Sequence, residues 1–204
     1  MAGHSNWATL QYRRGRHRQV RHREGVRGCP AEGRRREPAV AVRLEGYGPG
    51  DAAVLVDCLT EDRDRTVADV RHALVRHGGH LGAMGAVGYL FNEVGLLVFA
   101  PGADPARLAD AAIEAGAEDV VANPDASVEV LTDPGEFAHV QHSLAAAGFV
   151  AAGGEVTLRA YAPVNLAGDA AQEMVHLIDD LEDLDDVQHV YSNAAIPSEI
   201  LARV

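Results

Sequence analysis

The stretch AVLVDCLTEDRDRTVADVRHALVRHGG, residues 53–79, decides the fold class because its apolar pattern changes period part-way along. Ala53–Cys58 is a short apolar run of strand length. Val67, Val70, Leu74 and Val75 then recur at helical spacing, Thr66 with Asp69 three residues on gives a capping signal, and Gly78-Gly79 ends the run. A strand feeding a helix is the unit of a mixed fold, and the pattern repeats on both sides of it.

Downstream, Ala86–Phe91 and Leu96–Ala100 read as strands, with Asn92-Glu93-Val94-Gly95 between them as a hairpin turn, which gives β-α-β-β. A second unit follows. Asp104-Pro105 places a capping carboxylate before a proline at the first helical position, and the helix through Leu108, Ala112, Ile113 and Ala115 stops at Gly116. Val128–Leu131 is a strand. Asp133-Pro134-Gly135-Glu136 repeats the cap-proline device ahead of Phe137, Val140 and Leu144, which end at Gly148, and Val156–Leu158 is another strand. The last third holds an extended Tyr161–Leu166, a helix with apolar Met174, Leu177, Ile178, Leu181 and Leu184, and a strand Val187–Tyr191.

Upstream the character is different. Residues 16–38, RHRQVRHREGVRGCPAEGRRREP, show neither period and little apolar content, so they should pack no core, and the boundary of the folded body falls near Val42. Ordering this stretch would cost roughly 1 to 2 kcal/mol per residue in backbone entropy with no apolar face to offset it, so residues 16 to about 40 are expected to be poorly ordered.

Composition narrows the function. The 204 residues can form one sizeable core or a few small ones, since domains commonly run to about 100 to 150 residues. The chain is 47% hydrophobic, yet no apolar run approaches the roughly 18 residues of a membrane span. Cys29 and Cys58 lie far apart and form no metal-binding or disulfide pattern, which fits a reducing cytoplasm. All 18 basic residues are arginine. Residues 1–44 hold 11 Arg against Glu24, Glu32 and Glu37, a balance of +8, while the remaining 160 hold 7 Arg against 27 acids, −20, which together give the net −12. A basic arm on an acidic body points nucleic-acid contact to the arm, because the body repels phosphate; an arm that only screens its own body is the competing reading.

Several motifs resolve into plain structure. Gly46-x-Gly48-x-Gly50 precedes a strand and contains Pro49, so it is a turn rather than a phosphate cradle. His72, His77 and His80 miss the i, i+4 spacing of a helical metal pair, and a histidine at a helix C-terminus is favoured by the dipole instead. The acids Asp179, Asp180, Glu182, Asp183, Asp185 and Asp186 lack the glycine and terminal glutamate of an EF-hand loop; they read as the solvated face of an amphipathic helix, with docking to a basic partner as the other use. Ser5 beside His4 has no orienting third group and there is no GxSxG elbow, so no catalytic constellation is expected. Trp7, with Arg13, Arg14 and Arg16 nearby, suits base stacking backed by phosphate contacts; an aromatic anchor that packs the first helix on the body is equally consistent.

Ala2-Gly3-His4-Ser5-Asn6-Trp7-Ala8, followed by Gln11-Tyr12-Arg13-Arg14-Gly15, resembles the opening of the YebC/PmpR family, AGHSKWA and a basic Arg/Lys-Lys-Gly, with Asn6 in place of Lys. Glu45-Gly46-Tyr47-Gly48-Pro49-Gly50, Asp57-Cys58-Leu59-Thr60, Arg65-Thr66, His77-Gly78-Gly79, Phe99-Ala100-Pro101-Gly102-Ala103, Ala115-Gly116-Ala117-Glu118-Asp119, Glu129-Val130-Leu131-Thr132 and Leu184-Asp185-Asp186-Val187-Gln188 resemble later family blocks in the family's order. The resemblance covers residues 2–15 and about 43–193. It implies a helical basic first domain and two α+β domains, one inserted in the other, in a family of bacterial probable transcriptional regulators that bind DNA. The family also includes a mitochondrial translational activator and relatives linked to translation on the ribosome. The Arg-rich, acid-poor start could also suit a transit peptide, but because the resemblance begins at Ala2 none is expected. Between Arg16 and Val42 the chain departs from the pattern: three helices with loops need some 45 residues or more, and about 27 unpatterned ones are present.

The expected fold is therefore α+β, with two small α+β domains, one inserted in the other, after a truncated or aberrant N-terminal basic segment. The expected boundaries are 1–42 for the basic segment, 43–100 plus 159–204 for one domain and 101–158 for the inserted one; the insertion is implied by the resemblance. The expected function is transcriptional regulation through DNA binding, or action in translation on ribosomal RNA, with nucleic acid held by Trp7, Arg13, Arg14 and Arg16. The acidic body would face protein partners. The protein is expected to be a cytoplasmic non-enzyme with no cofactor, metal or membrane. The alternative is a protein-interaction module or remnant that no longer binds nucleic acid.

Overall fold

The computed structural model describes residues 38–123 and 125–201. They form two compact units, 38–91 with 160–201, and 92–159, the second interrupting the chain of the first. The fold is α+β. Trp7, Arg13, Arg14, Arg16 and nearly all of the stretch expected to be poorly ordered lie outside the described residues.

The first unit is built on an antiparallel sheet in the order β3-β1-β2-β9, made of His80–Leu81 (β3), Val40–Tyr47 (β1), Ala53–Thr60 (β2) and Val187–Ser192 (β9). Strand alternation sends Leu44 of β1, Val54, Val56 and Cys58 of β2 and Val190 of β9 to one buried face. Two helices supply the rest of that core. Helix α1 (Arg63–Arg76) contributes Val70, Ala73 and Leu74, and helix α4 (Gly168–Glu182) contributes Met174, Val175, Leu177, Ile178 and Leu181. A parallel pair, β8 (Val164–Asn165) with β10 (Ala194–Ala195), ties the end of the chain to the segment before α4. Strand β1 was not expected from the sequence. It opens at Val40, so the body begins before Val42, which is already paired with Cys58.

The second unit has the strand order β5-β6-β4-β7, from Asp119–Ala122 (β5), Val128–Thr132 (β6), Phe91–Phe99 (β4) and Gly153–Ala160 (β7). Leu97 and Phe99 of β4 and Val128 and Val130 of β6 meet Leu108 and Ala112 of helix α2 (Pro105–Glu114) and Val140 and Leu144 of helix α3 (Phe137–Ala146). Leu96, Val98 and Leu131 form a smaller cluster on the alternate positions. Because β4 pairs with β6, nearly all of it belongs to this sheet, and the division falls near residue 92 rather than 100.

Three local readings change. Asn92-Glu93-Val94-Gly95 is not a hairpin turn but lies within the continuous strand β4. Gly95 is there for packing: a Cβ at that position would overlap Thr132 Oγ1 and the Phe137 ring. Helix α1 is capped by Asp62, whose carboxylate accepts from the Arg65 amide, and Thr66 is buried inside it. Asp133 closes a turn, accepting from the Gly135 amide, and helix α3 starts only at Phe137. The Asp104-Pro105 cap stands as read, with Asp104 Oδ1 accepting from the amides of Ala106 and Arg107.

Candidate functional site

The described residues show how little positive charge the body has to offer. Arg43 grips Asp57 with two nitrogens, Nε to Oδ1 at 2.6 Å and a terminal nitrogen to Oδ2 at 2.8 Å, across the β1–β2 pair. Arg65 reaches Asp186 at 2.6 Å, Arg76 reaches Asp180 at 3.0 Å, and Arg159 reaches the fully buried Glu129 at 3.3 Å. Each of these guanidinium groups is engaged by the body's own acids. Arg63, Arg71 and Arg107 are exposed among a large excess of acidic side chains.

A feature that the sequence reading passed over is Glu45. This residue sits in β1 with 8% of its surface exposed, and its carboxylate accepts three backbone amides of the loop 82–90: Gly85 at 2.9 Å, Val87 at 2.7 Å and Gly88 at 2.8 Å. Burial pushes the Glu45 carboxyl up, but the three amide hydrogen bonds outweigh it and hold the group below its ordinary value. The Gly82 amide donates to the Glu45 carbonyl, and the Tyr47 hydroxyl to the Ala86 carbonyl. Converging amides of this kind would hold a phosphate in other proteins. Here they are filled by the chain's own carboxylate, so the loop is a fixed platform and not a phosphate site. It buries Val87 completely and leaves Met84 and Tyr89 strongly exposed.

A second cluster joins α1 to the segment after α4. Thr66 Oγ1 lies 2.7 Å from Asp186 Oδ2 and 2.8 Å from Thr60 Oγ1, and Thr60 accepts from the Asp62 amide. Burial raises the Asp186 carboxyl, but hydrogen bonds from Thr66 and Arg65 overcome this and leave it lowered. At the other end of α1, His77 places Nδ1 at 2.9 Å from Glu173 and Nε2 at 2.9 Å from Asp180. Part of the acidic run thus faces the chain's own helix rather than solvent. His72 is exposed, and His80 stacks on Tyr47 with ring centroids 5.1 Å apart. Among the described residues, no group of three His, Cys, Asp or Glu side chains is placed to hold a metal ion, and no helix is long and apolar enough to cross a membrane. Cys58 is buried and its thiol is pushed up to about 11 by that burial and by Asp57 and Asp186, which leaves it unreactive.

The model for the second and third domains of TACO1/YebC matches residues 39–194, both units described above. The chain belongs to the TACO1/YebC family. It is similar to a "Probable transcriptional regulatory protein" of Laribacter hongkongensis, 54% identical over 157 residues that make up 77% of this chain and 65% of that one. A protein of the same description from Chromobacterium violaceum is 55% identical over the same shares. Among solved structures, the conserved hypothetical protein Aq1575 of Aquifex aeolicus superposes with a TM-score of 0.71 at 38% identity, over 84% of this chain and 70% of that one. The chain spans about 65% of the length of the curated TACO1/YebC relatives it matches.

Glu45, Thr66 and His77 were missed as partners because the groups that meet them lie far along the chain: Val87 is 42 residues from Glu45, and Asp186 is 120 from Thr66. In the sequence Glu45 is only an acid two residues after Arg43 in VAVRLEGY, which carries no signal of its amide partners.

Proposed function

We propose that this protein is a gene-expression regulator that holds nucleic acid through its N-terminal arm and presents its acidic body to protein partners in the cytoplasm. The observation that carries this reading is the engagement of Arg43, Arg65, Arg76 and Arg159 by acids of the body itself. With Arg63, Arg71 and Arg107 scattered among acids, phosphate contact falls mainly to residues 1–37, where Arg13, Arg14 and Arg16 follow Trp7. The relatives' description as probable transcriptional regulatory proteins supports the same class. Arginines on phosphates release counterions, and Trp7 supplies a stacking face.

Replacing Arg13, Arg14 and Arg16 with Ala tests it. Binding to duplex DNA and to ribosomal RNA fragments, measured across a salt series, should weaken in the variant, and the salt slope should flatten by up to about one unit per lost phosphate contact. Equal binding and an unchanged slope would remove these residues from the contact surface. Whichever of the two nucleic acids the parent protein retains at the higher salt is the target class.

A second reading has its own support. The family match falls on the second and third domains, and the chain spans about 65% of its relatives' length. A body that acts only by protein contact would show no salt-dependent retention on either nucleic acid at low ionic strength, which separates the two readings directly.

A further inference from the structure

We propose that His77 is a charged latch: as an imidazolium it clamps the C-terminal end of α1 to α4, and loss of its proton releases that end while the N-terminal end stays pinned. The geometry requires the charge. A neutral imidazole carries one N–H, yet both ring nitrogens lie 2.9 Å from carboxylate oxygens, Nδ1 from Glu173 and Nε2 from Asp180. Carboxylates only accept, so each nitrogen must donate. The ring itself is nine-tenths buried, while the Glu173 and Asp180 carboxylates that it meets keep part of their surface in water.

The surroundings favour the same state. Around the ring stand Glu173 and Asp180 of α4, with His176 of the same helix acting on Asp180, and Arg76 of α1, itself bonded to Asp180. Helix α4 carries no Lys or Arg between Gly168 and Glu182, so Arg76 and His77 bring positive charge to its acidic side. A cation at the last turn of α1 also meets the negative end of the helix dipole. Burial lowers the readiness of His77 to hold its proton, but the hydrogen bonds to Asp180 and Glu173 more than offset it, and the net direction is upward from the ordinary histidine value.

Release would act locally. Past His77 the chain turns through Gly78, whose φ of 76° needs glycine, and Gly79, whose amide donates to the Leu74 carbonyl, before β3 and the loop that exposes Met84 and Tyr89. The other end of α1 is held by Asp186 through Thr66 and Arg65, a carboxylate whose charge does not change on the alkaline side. A group raised in the folded state contributes its full stabilisation below the ordinary value of about 6.5 and loses it as pH rises through the raised value. The latch is therefore closed in mild acid and opens toward alkaline pH.

Ring nitrogen and Cε1 chemical shifts of His77, followed by NMR from pH 5 to 10 on the intact chain, provide the test. The expected result is an imidazolium at pH 6 to 7 that titrates above an ordinary histidine, with the Gly78 and Gly79 amide signals moving along the same curve and the Arg65 and Thr66 amides staying still. Asp180→Asn should shift the His77 curve to lower pH, and His77→Gln should erase the alkaline loss in melting temperature relative to the parent. A neutral ring at pH 6, a midpoint at or below the ordinary value, or Gly78 and Gly79 signals that ignore the His77 curve would overturn the latch.

Discussion

Glu45 shows what one acidic residue can do when the backbone is arranged around it. Its two oxygens accept from three amides at the base of the loop 82–90, of which the Val87 amide is buried and has no water to turn to. Glu45→Gln keeps the size of the side chain but turns one of its two acceptor oxygens into an NH2 donor that faces an N–H group. The expected cost is about 1 to 3 kcal/mol, the penalty for leaving buried donors without partners. A urea midpoint measured on parent and variant would check it; an unchanged midpoint would mean that water replaces the carboxylate and that the loop does not rely on it. None of this was visible in the sequence, where Glu45 was one residue of a family block. Periodicity reports local pattern, and the amides that meet Glu45 come from a part of the chain some forty residues later. Asp104 was legible for the opposite reason: its partners, Ala106 and Arg107, are its near neighbours.

At the level of elements, helices were legible where caps and glycines marked their ends, and errors gathered where one residue type serves two purposes. Gly95 was read as turn chemistry because glycine after Asn-Glu-Val often is. In the fold it lets Thr132 and Phe137 close over an unbroken β4. A substitution separates those roles. Gly95→Ala would be tolerated in a hairpin turn with ordinary backbone angles, whereas in β4 the added methyl meets Thr132 Oγ1 and the Phe137 ring and should destabilise the protein by about 1 to 3 kcal/mol, the range for overpacking a full core. Thermal melts of the variant would show it, and a parent-like melt would return the segment to the turn reading. The edge strand β5 was missed for lack of pattern, since Asp119–Ala122 is only four residues long, with the adjacent half-buried Val120 and Val121 between exposed ends and no alternation.

For the whole molecule, the insertion of one α+β unit in another could not be derived from periodicity, which carries no information on which strands pair; it came from the family blocks and is borne by the order of strands in the two sheets. The charge dipole was legible at once, but its meaning required the ion pairs of the body. With Arg43, Arg65, Arg76 and Arg159 engaged internally, the residues from Pro38 onward hold a strongly acidic surface with cores of their own. A chain shortened to 38–204 should therefore melt cooperatively, because β1 keeps all of its pairs with β2 from Val40 to Tyr47. A cut after residue 42 should melt lower, since it removes the pairs to Thr60, Leu59 and Cys58. The 38–204 chain should also lose retention on DNA and RNA at every salt concentration, because an acidic surface repels phosphate more as screening falls. Binding that persists in this shortened chain and strengthens as salt is lowered would place the phosphate contacts on the body, and the arm would then have to be given another role.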